Sequence, residues 1–85
     1  MKRNIFKTNQ IFKAIVKFKN GTHKILRITI DLVAKITYDF REFQKNIFKE
    51  TWLLSITEEE ILNISDVKSC RFIVERTGEE FLTIE

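Results

Sequence analysis

His23 and Cys70 are the only imidazole and the only thiol in the chain, and a nucleophilic or metal site built on either needs a spaced partner that neither has. Cys70 alternates with Phe72 and Val74, the spacing of a buried structural thiol, while His23 stands beside a turn signal. Carboxylates are more numerous. Asp31 and Asp39 read as a helix cap and a helix surface position, and no acid and base pair has a reason to meet. No catalytic residue, metal ligand or cofactor is expected, and the reading is of a chain that is not an enzyme.

The chemistry left open is that of charge. Residues 1–41 hold ten Lys or Arg against two Asp, and residues 42–85 hold five against ten Asp or Glu, so the halves carry +8 and −5 within a total of +3. Such a split bears on partners, with one part of the chain suited to anions and the other to cations. The cationic candidates are Lys13, Lys17, Lys19, His23, Lys24 and Arg27, extended by Lys2, Arg3 and Lys7 in an N-terminal arm over residues 1–10. Four or five phosphate contacts from such a set give a log K against log salt slope of roughly −4 on duplex DNA. No RNA-recognition signature, zinc-finger spacing or helix-turn-helix pair accompanies the charge, so sequence-specific readout is not expected. Glu58, Glu59 and Glu60 form the matching acidic candidate for a protein interface, with Trp52 as a binding anchor if it is exposed. The plainer alternatives are a solvated acidic turn and long basic side chains splayed into water.

These residues are positioned by strands. Phe12, Ala14, Val16 and Phe18 alternate with Lys13, Ile15, Lys17 and Lys19, and after Asn20-Gly21 the alternation resumes as Leu26, Ile28 and Ile30 against His23, Ile25, Arg27 and Thr29. A two-residue Asn-Gly turn would set Ala14 opposite Arg27 and mix the two faces. A three-residue loop, Lys19-Asn20-Gly21, with Gly21 in the left-handed region restores the match. It sets Lys13 opposite Arg27 and Lys17 opposite His23 around an Ile15 and Ile25 pair, and only Lys24 must reach past its edge. Like charges directly across a ladder repel, so an anionic partner or free solvation has to compensate.

Cys70, Phe72 and Val74 followed by Arg76-Thr77-Gly78, Leu82 and Ile84 predict a second hairpin of the same kind, with Cys70 opposite Ile84. Between the hairpins, Asp31 is the expected N-cap of an amphipathic helix from about Leu32 to Lys45. Its apolar stripe is Leu32, Ile36, Phe40, Phe43 and Ile47, and its polar stripe is Lys35, Asp39, Glu42 and Asn46. A strand Phe48–Ile56 follows, and Thr57-Glu58-Glu59-Glu60 then opens either a short helix or, as preferred here, a turn into a strand over Glu60–Ser65. The expected fold is α+β, with an antiparallel sheet of five to six strands in ββαββββ order and one amphipathic helix packed on one face.

A chain of 85 residues suits one domain, 1–85, that buries roughly 60–65% of its unfolded surface. One cysteine and no apolar run near ~18 residues favour a reducing, cytoplasmic setting without a membrane span. Lys7, Asn9, Gln10 and Lys13 interrupt any signal-peptide core.

The strand ending Lys-Asn-Gly-Thr, the returning strand, the helix with its acidic start and the late Ile-Ser-Asp-Val-Lys-Ser segment resemble small accessory proteins of low-GC phages and conjugative elements. The likeness spans residues 12–74 and carries no site residue. It implies action by binding, in some cases as an inhibitor of host nucleases or other defence proteins. The sequence therefore supports a small non-enzymatic binding protein that engages a larger protein through a charged face or a sheet edge. The alternative is nonspecific nucleic-acid binding through the basic hairpin, and self-association is a third reading in which an unpaired edge strand meets another copy.

Overall fold

Phe12, Ala14 and Val16 have no exposed surface, while Lys13 between them is open to solvent, so the two-residue period of the sequence is realised as one buried and one open face. In the computed structural model, which describes residues 10–46 and 51–85, this segment is strand β1 (Phe12–Phe18), followed by β2 (His23–Ile28), helix α1 (Ile30–Lys45), β3 (Leu53–Ser55) and β4 (Ile61–Asn63). A 3-10 turn (Ile64–Asp66) then leads into β5 (Val67–Val74) and β6 (Glu80–Ile84). The arm at residues 1–9, Ile47 of the expected apolar stripe and the start of the expected strand Phe48–Ile56 lie outside the described residues.

The α+β class, the ββαββββ order and the antiparallel pairing follow the sequence reading. The six strands divide into a four-stranded sheet of order β2-β1-β5-β6 and a two-stranded sheet of β3 and β4. The 3-10 turn is what separates the two sheets, because it re-aims the chain between β4 and β5. Asn63 holds that turn: its Oδ1 accepts from the Ser65 amide at 3.2 Å and the Ser65 hydroxyl at 2.6 Å. The strand expected over Glu60–Ser65 therefore stops at Asn63, since a side-chain cap competes with the ladder for the next backbone groups.

The first hairpin has the odd-length connection that its side-chain parity requires. Phe12 faces Ile28, Lys13 faces Arg27 and Lys17 faces His23. Gly21 has φ of 92°, the Phe18 amide donates to the Thr22 carbonyl at 2.9 Å, and Asn20 Oδ1 accepts from the Thr22 amide at 3.0 Å. The second hairpin starts as read, with Cys70 opposite Ile84 and Phe72 opposite Leu82, but then slips so that Ile73 faces Glu80. Val74 closes the loop on Glu79 at 2.9 Å, making the connection Glu75–Gly78 one residue longer than expected. Phe81 is the extra residue of the resulting bulge. Its ring sits 5.1 Å from that of Phe12, on the covered side of the sheet.

Helix α1 begins two residues before the expected start. Thr29, extended at φ −90° and ψ 172°, is the N-cap position, and its carbonyl accepts from the Leu32 and Val33 amides at 3.1 Å each. Asp31 is thus inside the first turn, where its charge complements the helix dipole without capping. The buried stripe is Val33, Ile36 and Phe40, with Leu32 and Phe43 partly buried against the core. Asp39, expected on the solvent side, is 3% exposed and pairs with Lys35 at 3.3 Å.

The helix and the β3–β4 arm share the covered face of the four-stranded sheet. Val33, Ile36 and Phe40 from α1, with Leu54, Leu62, Ile64 and Val67 from the arm and its exit, join Phe12, Val16, Leu26, Cys70 and Phe72 in one core. Each such side chain contributes about 1.5–3 kcal/mol by leaving water. Phe72→Ala is expected to cost about 3–5 kcal/mol, read as a lowered urea midpoint, whereas Ile25→Ala on the open face costs less than about 1 kcal/mol. Equal losses for the two would contradict this assignment of faces.

Candidate interaction surface

The side chains that alternate away from the core meet on the face of the four-stranded sheet that no described element covers. The ladder registers set Arg27 beside Lys13 and Lys13 beside Ile73, then Ile25 beside Ile15 and Ile15 beside Arg71, then His23 beside Lys17 and Lys17 beside Ser69. Ile25 remains 63% exposed and Ile15 half-buried. The result is an aliphatic centre framed by Lys13, Lys17, Arg27 and Arg71.

Much of this charge is answered within the chain. Arg27 makes a two-pronged contact with Glu75, Nε to Oε2 at 2.7 Å and a terminal nitrogen to Oε1 at 2.9 Å. The Arg27 hydrogen bonds hold the Glu75 carboxyl below its ordinary value; desolvation opposes them, and the positive charges of Arg27 and then Lys13 add smaller effects in the lowering direction. The repulsion between Lys13 and Arg27 across the ladder is thereby offset by a carboxylate from the turn after β5. Arg71 pairs with Glu80 at 3.2 Å. Among the described residues no carboxylate forms a salt bridge with Lys13 or Lys17.

The six cations read from the sequence do not share one face. Lys13, Lys17, His23 and Arg27 do. Lys19 in the turn lies over the Phe43 ring, 5.7 Å from its centroid, and Lys24 stands on the covered side opposite Val16. There it reaches past the sheet edge, as its parity demands, and forms an ion pair with Glu60. One member of the basic candidate set thus engages one member of the acidic set. Glu58 and Glu59 are exposed in the turn between β3 and β4, where the Glu59 amide donates to Thr57 Oγ1 at 3.2 Å. Trp52 is half-buried, packed against the core and edge-on to Phe43 at 6.2 Å; its role is to seat the arm.

Arg71, Ile73 and Glu75 belong to the surface and were absent from the sequence reading. Their shared parity on β5 was visible, but nothing local reveals that β5 pairs with β1. Cys70 and His23 lie on opposite faces of the sheet, and burial pushes the Cys70 thiol up to about 12. Among the described residues no group of His, Cys, Asp and Glu is arranged to hold a metal ion, and no helix is long and apolar enough to cross a membrane. No protein family, curated protein or solved structure matches the chain.

Two outcomes check this geometry. Because the folded Glu75 carboxyl titrates below its unfolded value, its pairing adds stability above the unfolded titration range and loses it as pH falls through the folded value. An NMR carboxyl titration is expected to find Glu75 low in the wild type and raised toward the ordinary carboxylate value in Arg27→Gln; identical curves would dissolve the pair. Alkylation of Cys70 at mildly alkaline pH is expected to be slow in the native protein and to accelerate with urea in step with global unfolding. Rapid native labelling would place Cys70 outside the core.

Proposed function

We propose that this chain is a small non-enzymatic binding protein that docks its open sheet face on an acidic surface of a larger protein. The observation that carries the reading is the exposed Ile25, paired with Ile15 and framed by Lys13, Lys17, Arg27 and Arg71. An apolar centre with a charged rim is the arrangement that excludes water from a protein interface while the rim steers approach. Four cations against Glu75 and Glu80 leave the face net positive, which selects an acidic partner. The resemblance to accessory proteins of phages and conjugative elements favours an inhibitor or accessory factor of a mobile element acting in the cytoplasm.

Nucleic-acid binding is the second reading, motivated by Lys13 and Lys17, which have no described carboxylate within salt-bridge distance. It is the weaker of the two on two grounds. Two of the four principal cations already carry carboxylates, and the described part of the face presents no Phe, Tyr or Trp on which bases stack.

A photo-crosslinking residue at position 25, with a second at Lys35 on the helix as a control, tests the proposal in the source cells. The expected result is one stoichiometric protein captured from position 25 and not from position 35. Its affinity should fall about tenfold or more in Lys13→Glu with Lys17→Glu, the loss of one hot-spot contact. Capture of nothing, or of a protein indifferent to the two charge reversals, overturns the proposal, and nuclease-sensitive capture transfers the face to the second reading.

A further inference from the structure

The outer edges of β2 and β6 have no strand paired to them among the described residues, and their backbone and charge patterns fit each other. In an antiparallel ladder, successive residues aim their N–H and C=O groups to alternate sides. The Phe18 amide bonds the Thr22 carbonyl, so the register sends the groups of Lys24, Leu26 and Ile28 toward β1. Those of His23, Ile25 and Arg27 point out of the sheet. On the other side, the Val74 amide bonds the Glu79 carbonyl, which aims Phe72 and Cys70 toward β6. Their partners Leu82 and Ile84 face back to β5, leaving Thr83 to point outward.

Every neighbouring pair in the order β2-β1-β5-β6 is antiparallel, so β2 and β6 run in opposite directions. A second molecule added in the same orientation therefore presents its β2 antiparallel to β6 of the first, with both covered faces on the same side. We propose that the partner of these edges is a second copy of this chain, joined head to tail with Ile25 of one copy opposite Thr83 of the next.

That register is selected by three independent features. Both central residues aim their backbone groups outward, so the ladder continues without a slip. Leu26 falls opposite Leu82 on the covered face, matching apolar with apolar. The bulge at Phe81 shifts the count by one beyond Leu82, which sets Arg27 beside Glu80 and brings opposite charges together. Like edges are less well matched, since β2 against β2 brings two strands together that both carry Lys24 and Arg27, and neither like pairing sets Arg27 beside Glu80. Exposed apolar groups also lie at both edges: Ile25 at 63% on β2, and Phe81 at 36% with Tyr38 at 61% beside an open groove of about 510 Å³ between α1 and β6. A head-to-tail contact does not use itself up, and with roughly 20–25° of twist per strand successive copies wind into a helical assembly instead of a flat sheet.

The test is sedimentation of the full chain across concentration and salt, with circular dichroism confirming that each variant is folded. The wild type is expected to form larger species as concentration rises and to dissociate as salt is added. Arg27→Glu and Glu80→Lys should each reduce self-association at least tenfold, and mixing the two variants should restore it, because the mixture contains one native junction and one with both charges reversed. Thr83→Pro removes an outward amide that the monomer's own ladder does not use, and should abolish growth beyond the monomer. A wild type that stays monomeric at millimolar concentration, or assemblies unchanged by Thr83→Pro and by both charge variants, would overturn the proposal.

Discussion

Phe12, Ala14 and Val16 are fully buried because β1 is paired on both edges and covered on one face, and this double pairing constrains everything around it. A strand in that position must place all its apolar residues on one parity, since a slip of one residue would turn them to solvent. Its hairpin partner β2 must then arrive through a connection of odd length, which Gly21 permits by adopting a positive φ. The same parity sends Lys13, Ile15 and Lys17 to the other side. Among the described residues, one helix and one short arm cover one face of the sheet.

Folding also undoes much of the charge separation that the linear sequence displays. Arg27 and Lys24 come from the basic half, yet they pair with Glu75 and Glu60 from the acidic half. The Arg27–Glu75 contact follows from β1 sitting between β2 and β5, and the Lys24–Glu60 contact from the β3–β4 arm on the covered face. On the open face, Lys13 and Lys17 are left without a salt-bridging carboxylate among the described residues. The two-pronged Arg27–Glu75 contact keeps the densest cation pair from repelling itself, so the face tolerates Lys13 beside Arg27 without a bound anion.

The elements legible in the sequence were those whose signals are local. The parity argument at Asn20-Gly21 set the first register because Phe12, Ala14, Val16, Leu26 and Ile28 share a face only in that register, with Lys24 the one exception. Strand order was not legible, since nothing near Arg71 announces β1 as its neighbour, and with it went the placement of Arg71, Ile73 and Glu75 on the surface. The bulge at Phe81 was hidden because Thr77-Gly78 suits loops of either three or four residues. Asp39 belongs to the polar stripe of the helix by its spacing, and its burial comes from tertiary packing that no local signal announces, while Lys35 extends from the turn before it to meet it.

The two surfaces that the described residues leave unfilled converge on β2. His23, Ile25 and Arg27 stand on the open face through their side chains, and the ladder that makes them do so also aims their N–H and C=O groups out of the sheet. Face and edge are thus two properties of the same three residues, not separate features of the molecule. A ligand lying over Ile25 consumes apolar area and charge but leaves the backbone groups at the edge unpaired. A strand added at the edge consumes those groups and brings new side chains alongside Ile25, altering the rim that a face-bound partner meets. Occupancy of one surface therefore changes the other through direct contact at Ile25, with no rearrangement of the core, because the buried partners Leu26 and Ile28 belong to the opposite parity.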